Sequence, residues 1–185
     1  MGSLERLEFL EMETILSDGN SKLWGPHGFC ENLYVRFDKF EKINAQRAIL
    51  PLREWCLQVT AIVENMKGRV GVFISAEEDL KGLLQFLSII PVIALDFPVF
   101  TDGRSYSKAM QLKTIHSYKG ELRAVGDILI DQVSNMIRCG FDTLEVTHLL
   151  TQKRLASYSG EIFSGFYQNG VGLFRSGGKR IWRFF

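Results

Sequence analysis

The chain has 185 residues, 46% of them hydrophobic and 23% charged, with a formal net charge of +1. That length suits one domain with appended ends, and the composition supports a full-sized core. The balanced charge argues against a nucleic-acid-seeking surface, and no run of about 18 apolar residues is present to span a membrane.

Residues 1–47 read as an N-terminal extension packing over the rest. The opening MGSLERLEFLEMETIL is acidic and lacks the basic start and apolar stretch of a signal peptide. Arg6 stands where a myristoylation signal needs a small hydroxyl residue. Leu4, Leu7, Leu10 and Ile15 fit a short amphipathic helix. SDGNSKLWGPHGF then reads as a turn-rich connection, and Asn32 to Phe40 alternates loosely enough for an edge strand. The three cysteines, Cys30, Cys56 and Cys139, form no CxxC pair, so neither a zinc knuckle nor a dithiol redox motif is expected. Together these features predict a reduced, cytoplasmic protein.

From Ala48 the rhythm becomes strand–helix. Ala48 to Leu50 is a short apolar run, and Leu52 to Met66 carries an apolar stripe at helical spacing after Pro51. Arg69 to Ile74 reads as a buried strand. Ser75 and Glu78 have capping-box spacing for a helix running through Leu80, Leu83, Leu84 and Leu87. Pro91 to Phe97 is the next strand, and Ser105 to Tyr118 the next helix, closed by Gly120. Glu121 to Val125, Ile128 to Cys139 (closed by Gly140) and Phe141 to Val146 continue the pattern. Gln152 to Gly160 is poorly defined, and Glu161 to Gln168 reads as a final helix. About five βα units predict an α/β core over 48–168, its sheet mostly parallel with helices packed against it. An open sheet is favoured, with a partial β/α-barrel as the alternative. Residues 169–185 form a basic, aromatic tail, in which Arg175, Lys179, Arg180 and Arg183 alternate with Phe174, Trp182, Phe184 and Phe185.

Strands buried on both faces should be apolar, yet three in succession carry a charge: Asp96 in IALDF, Arg123 in ELRAV and Glu145 in TLEV. Each needs a partner, and on neighbouring strands Arg123 can lie between two carboxylates. The loops at the strand ends add further candidates. FTDGRSYS holds Asp102, Gly103, Arg104, Ser105 and Tyr106 at a helix start, with Gly103 free to adopt positive φ beside a ligand. AVGDILIDQ repeats the arrangement with Gly126 in the turn, Asp127 as the N-cap, and Asp131 and Gln132 one turn on. Asp102, Asp127 and Asp131 are the candidate acids or bases, and Arg104 and Arg123 the candidate anion contacts. In parallel sheets, open or closed, ligands bind at this edge.

Other residues lose their appeal on geometry. Cys139 ends a helix, where the dipole works against a thiolate. His116 shares a face with Ala109 and Leu112, and His27 and His148 have no second ligand at metal spacing. No GxSxG elbow, Walker A loop or GxGxxG fingerprint occurs. The cofactor is therefore unassigned, with no nucleotide, flavin or metal motif recognised, and the oligomeric state is open.

The segments DFPVFTDGRSYSKA, GELRAVGDILIDQ and MIRCGFDTLEV resemble the bacterial family known as domain of unknown function 934. The resemblance is strong over Leu95 to Val146, weaker over Leu23 to Trp55, and returns at EIFSGFYQ. It departs from the family wording at Ser105, where Gly is usual, and at Ile130, where Arg is frequent and where a charge facing the site is lost. The resemblance implies a small cytoplasmic protein with an inferred oxidoreductase role in assimilatory sulfite reduction, a description resting on gene association. It brings no catalytic residues. Three readings stay open: an accessory factor acting through sulfite reductase or another sulfur-assimilation enzyme, a small-anion or phosphate-ligand enzyme using the strand-end crevice, and a domain whose ion cluster only secures the fold.

Overall fold

The apolar runs of the sequence become the strands of one eight-stranded, curled half-barrel sheet. The computed structural model describes residues 20–25, 27–45 and 47–157. The strands are β1 (Lys22–Gly25), β2 (Gly28–Cys30), β3 (Val35–Arg36), β4 (Ala48–Pro51), β5 (Val70–Ile74), β6 (Val92–Phe97), β7 (Glu121–Gly126) and β8 (Thr143–Val146). Their order is β2-β1-β8-β7-β6-β5-β4-β3. From β3 to β8 every pairing is parallel and follows chain order, while β1 joins β8 antiparallel and carries β2 on its outer side.

Chain-order pairing has a consequence. Parallel crossovers are right-handed, so strands added always in one direction place every connection on the same face. The helices are α1 (Leu52–Leu57), α2 (Val59–Asn65), α3 (Arg104–Met110), α4 (Ile130–Cys139) and α5 (Leu149–Ala156), with 3-10 turns at Phe40–Lys42 and Lys81–Phe86. Their apolar residues Trp55, Ile62, Leu83, Ala109, Leu112, Val133, Met136 and Leu155 form one cluster with Leu50, Val72, Ile93, Leu95, Leu122 and Leu144 of the sheet. The alternate strand positions Ile49, Val92, Ala94 and Val125 form a second, smaller cluster with Tyr34 and Phe73 on the other face. The sheet is therefore apolar towards the helices and mixed on its opposite, concave face. That is where its charges lie.

Several local expectations are corrected. Residues 20–36, expected to lie over the sheet, supply three of its strands. Gly25 and Gly28, within the stretch read as a turn-rich connection, are the ends of a hairpin whose Leu23 and Trp24 are buried. The edge strand expected over Asn32 to Phe40 shortens to Val35–Arg36, though it does form an edge. The helix expected over Leu52 to Met66 divides at Gln58 (φ −104°, ψ 13°). After β5 no α-helix forms. Glu78 does reach back, its Oε2 accepting from Ser75 N (2.8 Å) and Ser75 Oγ (3.0 Å), but only the 3-10 turn Lys81–Phe86 follows. Helix α3 runs on into a π-helical turn, Gln111–Ile115, and Ser117 (φ 51°), not Gly120, takes the left-handed position that ends it. Gly120 is instead needed for closeness, since a methyl there would fall 2.3 Å from Tyr118 Oη. Gly140 (φ 102°) closes α4 as the sequence predicts. A regular helix, α5, occupies most of the stretch read as poorly defined after β8. The N-terminal helix, the Glu161 to Gln168 helix and the tail lie outside the described residues.

Gly71 marks the tightest contact within the sheet. A Cβ at this position would lie 2.2 Å from Val92 Cγ1 and 2.6 Å from Val92 O. Gly71→Ala should therefore cost about 1–3 kcal/mol through overpacking, measured by urea unfolding. A neutral result would show that β5 and β6 separate freely here.

Candidate functional site

Strand register decides which charged side chains meet. Pairing of Ala94 with Arg123, Arg123 with Thr143, and Val92 with Glu121 places all of these on the concave face. Arg123 is 1% exposed, so its charge requires compensation from the protein. Its Nε donates to Glu121 Oε1 (2.9 Å), its Nη1 donates to Asn32 Oδ1 (2.8 Å), and Glu145 Oε2 lies 3.8 Å from Nη1. The last distance permits charge attraction without a hydrogen bond. Glu145 is held mainly by Arg36, whose Nη2 donates to its Oε1 at 2.9 Å. Thr143 Oγ1 donates to Glu121 (2.6 Å), and the rings of Tyr34 and Phe73 face Arg123 and Arg36 at 5.7 and 5.4 Å.

Arg123 thus lies between two carboxylates, as its sequence context predicts, but one of them is not Asp96. The register pairs Asp96 with Val125, one inward-facing position nearer the strand ends. Glu121, two residues before Arg123 on the same strand face, takes the partner's place. Asp96 is left half-buried, with no described Lys, Arg or His nitrogen within 4 Å. Burial pushes its carboxyl above the usual range and Asp102 adds to this, while Arg36, the Phe97 backbone and Lys108 oppose it.

The loop after β6 is closed upon itself. Arg104 grips Asp102 through Nε (3.0 Å) and Nη2 (2.6 Å), and its backbone N–H adds a third bond (3.1 Å). Those bonds lower the Asp102 carboxyl to about 2. Arg104 also lies 3.8 Å from Glu77. Its charge therefore faces carboxylates rather than an open anion site. Gly103 has φ −93°, a conformation open to any residue, so the positive φ expected there is not used. Ser105 is buried and its hydroxyl donates to the Asp96 carbonyl. Tyr106 packs edge-on against Phe97 (4.9 Å), and burial pushes its phenol up, opposed by hydrogen bonds to Asn135 and Gln132.

The loop after β7 is positioned by Gly126 (φ 101°). A Cβ there would meet Phe97 O at 2.4 Å and Asp96 Oδ1 at 2.9 Å, so the glycine makes room for the Asp96 carboxylate. Asp127 is exposed and donates its backbone N–H to Phe97 O (2.8 Å). It is not the helix cap. That position belongs to Leu129 (φ −100°, ψ 156°), whose backbone N–H donates to Gln132 Oε1 (3.0 Å). Gln132 Nε2 donates to Phe100 O (3.2 Å), which ties the two loops together. Asp131 is exposed in the first turn of α4.

Of the predicted residues, Ser105 and Gly126 each adjoin Asp96, Arg123 and Glu145 share the network below, and Asp102 with Arg104 forms a separate pair. Lys108 escaped the sequence reading. Its Nζ donates to Ser75 O (2.7 Å) and Ala76 O (2.8 Å), pinning α3 to the end of β5. Burial pushes its ammonium down, and Arg104 adds to this. Its place one helical turn after Arg104 was the available signal. Glu121 could have been found from alternation, since it repeats a charge on the inward face of the strand that carries Arg123.

Residues 71–175 match the family model described as Bacterial protein of unknown function (DUF934). The chain belongs to this family. No curated protein matches the sequence. The DUF934 segment spans β5 to β8 and holds every predicted site residue, whereas Asn32, Tyr34 and Arg36 reach the network from outside it.

Among the described residues, no three His, Cys, Asp or Glu side chains gather as metal ligands, and no helix is long and apolar enough to cross a membrane. Cys139 is buried, which pushes its thiol up, while Arg138 opposes this. His148 precedes α5, with Nδ1 3.3 Å from Thr151 Oγ1.

Removing Arg123 takes the cation from Glu121 and leaves Glu145 to Arg36 alone. Arg123→Leu should destabilise the fold by roughly 3–5 kcal/mol, read by chemical unfolding. A loss below about 1 kcal/mol would show that water reaches and compensates Glu121 and Glu145.

Proposed function

We propose that this protein is an accessory factor of sulfite assimilation that works by binding a partner, sulfite reductase or another enzyme of that pathway. The pathway comes from the resemblance of Leu95 to Val146 to its family. The partner-directed role is supported by the strand-end edge. Val99 and Phe100 in the loop after β6, and Leu149 and Leu150 in the first turn of α5, are all exposed. The loops after β6 and β8 leave the same edge of a parallel sheet, so these side chains share one rim. Isolated exposed apolar residues are ordinary, but several on one rim suit a protein surface better than a small charged ligand. Arg104, a cation in the same loop region as Phe100, is already engaged by Asp102 and Glu77.

Purified sulfite reductase should be retained by the immobilised protein at micromolar concentration. Phe100→Asp and Leu150→Asp should abolish retention while leaving Tm within about 2 °C. Passage of the reductase without retention by the wild-type protein would remove it as the partner.

One observation favours a second reading, an enzyme or binding protein using the strand-end crevice. Asp96 and Lys108, on adjacent elements at that edge, have their proton affinities pushed towards neutrality from opposite sides, as suits groups that each exchange a proton with a bound ligand rather than with one another. Because the folded state raises the Asp96 pKa, Asp96 reduces stability once pH climbs above its unfolded value of about 3.9. Asp96→Asn should accordingly raise Tm at pH 7, with a gain that shrinks towards pH 4. In a thermal-shift panel of sulfite, sulfate, phosphate and adenylylated sulfate, a ligand at ten times its Kd should add roughly 3–5 °C to the wild type and nothing to Lys108→Met. Equal shifts in both proteins would place the ligand elsewhere.

A further inference from the structure

We propose that a cleft at the opposite, N-terminal edge of the parallel strands binds small organic anions, an apolar body carrying a single oxyanion head. The cleft has a volume of about 580 Å³ and opens where β6 and β7 begin. Leu84, Leu87 and Pro91 form its apolar side, and His116, Ser117 and Lys119 its polar side. No Asp or Glu lines it. Lys119 is exposed and has no carboxylate within 4 Å among the described residues, so its ammonium is free to meet an anion.

Three further features converge on this cleft. His116 Nε2 is buried with no hydrogen-bond partner, a costly state for a polar atom whose ring forms part of the wall. Ser117 holds the left-handed conformation (φ 51°), which is unfavourable outside glycine. The π-helical turn Gln111–Ile115 delivers both residues: the His116 N–H donates to Gln111 O (3.2 Å) and the Tyr118 N–H to Leu112 O (2.9 Å). Such π turns recur at functional sites. The Tyr118 hydroxyl is not available to a ligand, since it donates to Ile90 O (3.0 Å) and fixes the cleft against the sheet. An oxyanion head would take donors from Lys119, His116 and the Ser117 hydroxyl, with the ligand's apolar body against the leucines. This site is independent of the strand-end partner surface.

Sodium benzoate titrated at constant ionic strength into isotope-labelled protein provides the test, read by the amide resonances of residues 116–120 and the His116 imidazole. Asp127 and Asp131, at the far edge, serve as controls. The expected result is saturable shifts confined to the cleft, weakened about tenfold in Lys119→Gln and by a similar factor for inorganic phosphate or benzyl alcohol. Lys119 is exposed and unpaired, so the variant keeps its fold. Shifts that fail to saturate by about 50 mM, that persist unchanged in Lys119→Gln, or that either half-ligand reproduces, overturn the proposal.

Discussion

Parallel strands added in chain order constrain everything else in this molecule. Right-handed crossovers send each helix to the same side, so one face of the sheet holds the main core and the other cannot be covered by a connection between its own strands. A doubly wound sheet reverses its strand order, and the crevice at that reversal receives the ligand. From β3 to β8 no reversal occurs, so these described strands form no such crevice. What they form is the mouth of a half-barrel, and the logic that applies is that of closed barrels, in which loops at the C-terminal strand ends surround an inward-facing set of side chains.

The concave face is stabilised differently from the helical face. On the helical side, Phe97 packs against Phe141 and Tyr106 at 5.7 and 4.9 Å, and Trp55 against Phe86 at 5.5 Å, in an apolar core. On the concave side, a cation from β7 and another from β3 are matched by carboxylates from β7 and β8. The Arg36–Glu145 pair spans the sheet from its β3 edge towards the strand next to β1, a reach that a flat sheet would not allow. Four strands separate β3 from β8 in the order. Neighbouring strands lie about 4.8 Å apart, so only curling brings those side chains within 2.9 Å. The ion pair therefore depends on the curvature.

How much of this was legible depended on the range over which each signal acts. The α/β class followed from local alternation, and Gly140 from the chemistry of a helix end. Asp96, Arg123 and Glu145 stood out because a charge in an apolar strand is costly wherever it lies. Which of them pair was not legible, because a pairing register is a property of two strands and Glu121 is distinguished from Asp96 only by that register. The β1–β2 hairpin was hidden because Gly25 reads equally well as a breaker and as a hairpin end, and only the edge of β8 makes pairing worthwhile. Ser117 was missed since the sequence favours glycine for a left-handed helix end, and Gly120 was nearby. Its own role arises from the approach of Tyr118, a tertiary matter. Gly103 failed for the converse reason: its composition permits positive φ, but the Asp102–Arg104 clasp holds the loop in an ordinary conformation.

Charge accounting on the concave face shows where chemistry can reside. Arg36 and Arg123 are balanced by Glu145 and Glu121, and each of those groups is fixed by at least one hydrogen bond to another member or to Asn32 or Thr143. A set so connected serves as scaffold, because moving a proton or a ligand through it would leave a buried charge unmatched. Asp96 stands outside that balance. It is the inward-facing carboxylate nearest the mouth, Gly126 leaves space around its Oδ1, and the Ser105 hydroxyl fixes its backbone carbonyl. A group carried on a rigid strand, short of a counter-ion and beside an opening meets the requirements of a reactive or ligand-sensing carboxylate. Burial keeps its ionised form unfavourable, so whatever supplies a positive charge or a hydrogen-bond donor at the mouth gains most by meeting it there. The network below sets the position of Asp96, and the deficit it leaves at the rim is what a ligand or a partner's side chain would fill.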